Sequence, residues 1–147
     1  MKSTRCIILV ILTFLLPAKA EADDYRNLEV KKLLTSSSAS NGQPLAYLQT
    51  EHPEVTVLAV TIPPGGETGW HKHPVPVYAY VLDGLLTVEM KGAESYQFKK
   101  GEAVLEVMNT LHNGRNLGAG NVSLVVFYTG ATGVPNVVKE SPSNRLP

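Results

Sequence analysis

From Val55 onward the chain alternates short runs of β-branched, aliphatic and aromatic residues with Gly, Pro and Asn punctuation. The runs are Val55 to Ile62, Val75 to Leu82, Leu85 to Lys91, Ala103 to Val107 and Val122 to Tyr128. Each has the length and residue types of a β-strand bounded by turns. No long helical periodicity separates them. The pattern therefore predicts an all-β fold, a small antiparallel barrel or double-sheet sandwich rather than a parallel sheet crossed by helices.

Ahead of these runs, Glu21 to Asn27 is polar and expected to be disordered, and Leu28 to Leu34 alternates in the manner of a short edge strand. Thr35 to Pro44 reads as loop, with Asn41-Gly42 suited to a tight turn that joins two hairpin strands. The expected organisation is a signal peptide at 1–20, an N-terminal strand and loop at 21–44, a barrel at 45–130 and a Pro-rich tail at 131–147.

One register follows from turn chemistry. Asp83-Gly84 is a two-residue type I′ turn signal between two strand-like runs. A hairpin closed there sets Val81 against Leu86, Ala79 against Val88 and Val77 against Met90 on one face, with Tyr80 and Tyr78 against Thr87 and Glu89 on the other. The first face is expected to be the interior, so Val77, Ala79, Val81, Val88 and Met90 are expected to line a ligand pocket. Tyr78 and Tyr80 then cover the outer face or an interface with a second subunit, a possible homodimer.

The first twenty residues differ in kind from the rest. Lys2 and Arg5 precede an apolar run from Cys6 to Leu16, and the segment ends in Ala18-Lys19-Ala20. This is the layout of a secretory signal peptide, and the run is far short of the ~20 residues that span a bilayer. The expectation is export to the periplasm or beyond, with cleavage near Ala20 and no stable membrane anchor afterwards. Cleavage removes the only cysteine, Cys6, so the remaining domain forms no disulfide. It also removes Lys2, Arg5 and Lys19, so the 13 positive charges fall to 10 against 13 carboxylates. A mildly acidic domain is a poor nucleic-acid binder.

The chain has 4 histidines, and two of them form His71-Lys72-His73. On a strand this spacing puts both imidazoles on one face, where two neutral rings invite a metal ion. An H-x-H pair alone is weak evidence. Its surroundings strengthen it: Gly65 precedes the pair, Gly84 follows it, and a second block contains Gly101, His112 and Asn116. These positions, in register over two blocks, resemble the two motifs of the cupin superfamily from about Val55 to Tyr128.

The resemblance implies a small β-barrel or jelly roll that holds one divalent metal ion, Fe, Mn or Zn, on His71, His73 and His112. Three positions depart from the motifs. Val77 stands where the family carries a glutamate ligand, Val107 where it carries a proline, and Asn109 where it carries a glycine. The last two are turn positions. The first implies a site with three protein ligands. Glu67, Glu102 and Glu106 are alternative carboxylates, but all three read as solvated or rim residues. His52, before Pro53, matches nothing and reads as an exposed loop residue, and Trp70 as rim packing.

Three imidazoles leave the charge of a divalent ion uncompensated, which suits a small anionic, chelating substrate. With Fe(II) the resemblance implies a dioxygenase-type enzyme, and with Mn(II) or Zn(II) a lyase or isomerase. A binding module without turnover is the third class, and no catalytic base is assignable.

Overall fold

The computed structural model describes residues 27–141, so the signal peptide expected at residues 1–20 lies outside the described residues. Contacts divide the chain into Met1–Val30 and Lys31–Pro147. The second unit carries every strand named below.

Among the described residues the chain is all β. The strands are β1 (Pro53–Ile62), β2 (His71–Lys72), β3 (Val77–Asp83), β4 (Leu85–Met90), β5 (Ser95–Lys99), β6 (Ala103–Leu105), β7 (His112–Arg115), β8 (Val122–Ala131) and β9 (Val138–Lys139). They form a four-stranded sheet in the order β1-β8-β3-β6 and a five-stranded sheet in the order β5-β4-β7-β2-β9. The named strand pairs are antiparallel. The fold is the antiparallel double-sheet sandwich expected from the strand pattern, in the jelly-roll form that the cupin resemblance implied.

The five predicted runs became β1, β3, β4, β6 and β8. The short strands β2, β5, β7 and β9 lie outside those runs: HK, HNGR and VK lack the apolar alternation that marks a half-buried strand, whereas SYQFK does alternate, with Tyr96 and Phe98 on one face, and was overlooked. β9 falls inside the expected tail, yet it pairs with β2, His71 opposite Lys139. Leu28 to Leu34 forms no strand and is exposed. The Asn41-Gly42 turn is present, with Gly42 at φ 83°, but it supports only a single bridge, Ser38 to Pro44.

The Asp83-Gly84 hairpin is corrected. β3 pairs with β8 and β6, whereas β4 pairs with β5 and β7, so the chain passes from one sheet to the other at Gly84. The register of β3 on β8 shifts between Val81 and Asp83, a bulge that bends the strand before the turn. The expected pairs are therefore not hydrogen-bonded neighbours, because their apolar faces meet across the sandwich instead. That is why the inside/outside assignment survives the wrong pairing: Val77, Ala79, Val81, Leu86, Val88 and Met90 are all buried.

The core between the sheets contains Ile62, Val77, Val81, Leu86, Val88, Leu124 and Val126 among others. A smaller cluster joins Ala39, Met90 and Val107. On the outer face of the four-stranded sheet the register aligns Val57, Phe127, Tyr78 and Leu105 in one row, with Tyr78 and Tyr80 half-buried.

Gly84 is constrained twice. Its φ is 83°, and a Cβ there would lie 2.5 Å from the Asn121 carbonyl oxygen. Gly133 has a similar φ of 81° but open space around it. Gly133→Ala is expected to cost about 1–2 kcal/mol of stability from backbone strain alone. Gly84→Ala must also displace backbone and is expected to cost clearly more. Urea denaturation of both variants checks this, and equal losses would contradict a tight crossing at Gly84.

Candidate metal centre

β2 and β7 lie side by side in the five-stranded sheet, with His71 directly opposite His112. His73, two residues on, faces the same way and forms an isolated bridge with Met108. All three imidazoles are buried, and their ring centroids lie 4.4 to 4.9 Å apart. Each offers one ring nitrogen to a common point, these atoms lying within 4.8 Å of one another.

The loops beside these strands are fixed by the other motif residues. Asn116, fully buried, donates from its amide to the carbonyls of Ile62 (2.8 Å) and Gly120 (2.7 Å). Its backbone exchanges hydrogen bonds with the Gly65-Gly66 turn ahead of His71. Asn109, at the family's glycine position, has φ 55° and donates from its N–H to the His73 carbonyl. Asparagine tolerates that left-handed backbone, so the departure is conservative.

A backbone carbonyl orients each ring. His71 Nδ1 donates to Gly69 O at 2.7 Å, His73 Nδ1 to Asn136 O at 2.8 Å and His112 Nδ1 to Thr110 O at 2.9 Å. A proton held on Nδ1 leaves the Nε2 lone pair free to face the interior. Three ring nitrogens converge there, a set able to hold a metal ion. Burial, reinforced by His112 and His73, lowers the pKa of His71 to about 4 against the pull of the Gly69 carbonyl, so this ring is neutral near pH 7.

Glu106 is the residue that sequence reasoning misplaced. Expected at the rim, its carboxylate is only 15 % exposed and reaches His73 Nε2 at 3.0 Å and His112 Nε2 at 3.1 Å. Burial pushes its pKa up, but His112 and His73 outweigh this and hold it at about 2. Burial likewise pushes the His112 pKa down, while the Glu106 hydrogen bond and charge raise it overall. The overlooked signal was strand parity, since Glu106 follows Val104 by two residues and Val104 is in the core. Glu67 and Glu102 stay outside the cluster, paired with Arg115 and Asn113 and with the Lys99 N–H respectively. His52 is exposed.

Above the histidines lies a cavity of about 60 Å³, lined by Val60, Ile62, Leu86, Val88, Leu124 and Val126, with Thr68 and Tyr128 as polar members. Of the expected lining residues, Val88 is on its wall. Val77, Ala79 and Val81 pack in the core behind it and Met90 in the smaller cluster. The expected register set all five around one interior, whereas the two sheets divide them.

Asn136 lies in the segment expected to be a tail, yet its carbonyl orients His73, and Lys139 and Glu140 continue along β2. A chain ending at Val134 loses that acceptor and β9. Its affinity for Zn(II) is expected to fall about 10- to 100-fold, as for other losses of a group that orients a ligand. Isothermal titration of the folded truncated chain checks this, and unchanged affinity would dissociate the C-terminal segment from the site.

Residues 58–128 match the family model of the cupin domain. No curated protein matches the chain in sequence. Among solved structures, the DMSP lyase DddQ from Ruegeria pomeroyi aligns at 20 % identity and TM-score 0.53, over 70 % of this chain and 49 % of that one. A structure of the DMSP lyases RdDddP and RnDddQII aligns at 20 % identity and TM-score 0.51, over 59 % of this chain and 44 % of the other. The match thus spans about half the length of these lyases or less. A cupin-like protein from Thermotoga maritima aligns at 20 % identity and TM-score 0.52, over 62 % of this chain and 68 % of its own. At this identity the likeness is one of fold. Family model and fold agree: residues 58–128 form a cupin domain.

Proposed function

We propose that this chain is a metal-dependent cupin enzyme that converts a small anionic, chelating molecule in the cavity above His71, His73 and His112, working with iron(II) as a dioxygenase-type oxidoreductase. The observation that carries the reading is the convergence of one ring nitrogen from each of three buried histidines at a largely apolar cavity while every Nδ1 is committed to a backbone carbonyl. A bound divalent ion supplies Lewis acidity there and, if it is iron, access to oxygen chemistry.

The chain's own residues define the rest. The aliphatic walls lower the local dielectric, which strengthens electrostatic contacts inside. The cavity volume of about 60 Å³ is room for on the order of four to six waters, which favours a small substrate. Thr68 has its hydroxyl engaged with the Gly114 N–H and nearby acceptors. Tyr128, buried against the His73 ring at 5.5 Å between centroids, forms no side-chain hydrogen bond among the described residues. Its O–H is thus the donor available to a substrate oxygen.

Tyr128 also favours a second reading, a manganese- or zinc-dependent lyase or isomerase. Burial and the Glu106 charge raise the phenol pKa, so it stays protonated at neutral pH and can hand a proton to a substrate.

Purified protein is expected to carry one divalent ion per chain. His112→Ala is expected to lose it and His52→Ala to keep it, by elemental analysis. Equal occupancy in both variants would sink the metal assignment. After anaerobic iron(II) loading, oxygen uptake with small enolate, catecholate or thiolate candidates is the expected outcome. Conversion that needs manganese or zinc and consumes no oxygen would replace the oxidoreductase reading with the lyase one.

Export is part of the proposal, on the layout of residues 1–20 alone. Terminal sequencing of the protein from its producing cell is expected to begin near Glu21, and a chain retaining Met1 would contradict this.

A further inference from the structure

We propose that Glu106 is the fourth protein ligand of this centre, a carboxylate supplied by the residue that follows β6, directly across from Val77, the position where the cupin motif places its glutamate on β3. The inference rests on the metal-binding reading above and adds a donor to it.

The strand register carries the first part. β3 and β6 pair Tyr80 with Ala103, Ala79 with Val104 and Tyr78 with Leu105. One step further, the Glu106 N–H donates to the Val77 carbonyl at 3.0 Å, which sets 106 opposite 77. Residues directly opposite in an antiparallel pair share a face, with Cβ atoms about 4.5–5.5 Å apart. A carboxylate on either strand therefore starts from nearly the same place on the inner face.

Donor accounting carries the second part. With Nδ1 of His73 and of His112 committed to carbonyls, both Nε2 atoms face the interior, and Glu106 Oε2 lies 3.0 and 3.1 Å from them. The three atoms form one compact cluster of candidate ligand atoms, and one metal ion placed among them contacts all three at once. The spacing also fits, because adjacent donors each about 2.1 Å from one ion, at a right angle, are about 3 Å apart.

The same pairing explains Val77. A glutamate there would set a second carboxylate beside the first, so an aliphatic residue at 77 and an acid at 106 are complementary halves of one exchange. The site accordingly carries one negative charge, and a divalent ion bound in it presents a net single positive charge to the substrate, which favours a monoanion over a dianion.

Co(II) absorption and Zn(II) titration of the full chain test the inference. Glu106→Gln, nearly isosteric, is expected to weaken binding at least about tenfold and to alter the Co(II) spectrum, whereas a carboxylate that only accepts a proton from His112 would leave affinity unchanged or improved. In the double variant Val77→Glu with Glu106→Val, the carboxylate changes strands and binding is expected to recover most of what Glu106→Val alone loses. Wild-type affinity and spectrum in Glu106→Gln, with binding lost in His112→Ala, would overturn the fourth ligand and leave the three-histidine site standing. Wild-type binding in both variants would overturn the site itself. A folded double variant no better than Glu106→Val would overturn the equivalence of positions 77 and 106.

Discussion

Each histidine of the cluster is tied through Nδ1 to a main-chain oxygen, and the character of the site depends on those three hydrogen bonds. An imidazole has two nitrogens that exchange roles with its tautomer, so an unrestrained ring on a strand presents no fixed donor. The carbonyls of Gly69, Thr110 and Asn136 remove that freedom. Two of them are local, each two residues before its histidine, and come with the turns that lead into β2 and β7. The third crosses from the segment between β8 and β9. Ring orientation is thus a property of the backbone, and the side chains around the cavity are left to set its size and polarity.

The jelly roll puts these turns where they are needed. The His71–His112 pairing lays two ligands on adjacent strands, and the four-stranded sheet closes the space above them with Val60, Ile62, Leu124, Val126 and Tyr128. Glu106 arrives from that opposite sheet. The cluster is therefore bounded by both layers, and relative movement of the sheets would separate the carboxylate from the imidazoles. Sandwich packing and site geometry are one constraint.

What the amino-acid sequence disclosed depended on the range of the interactions involved. The fold class was legible because the four longest strands carry β-branched and aliphatic runs, and His71, His73 and His112 were legible from motif spacing. Gly84 was recognised as a turn residue, but the bulge after Val81 and the approach of Asn121 depend on a strand about forty positions away, and local turn chemistry gives the hairpin instead. Glu106 was set aside because charged residues are usually solvated. Its burial is compensated only by rings distant in the chain or on another strand, a compensation invisible in the local pattern. β9 is two exposed residues long, and pairing with β2 alone makes it a strand.

The position of Asn136 has a temporal consequence. During synthesis the chain is delivered from its N-terminus, and His71, His73 and His112 all precede the carbonyl that fixes His73. Until residues 136–139 arrive, β2 has an open edge and His73 an unsettled tautomer, so the cluster is incomplete while most of the barrel is already available. The final orientation of His73 is thus set by the last part of the described chain to be made.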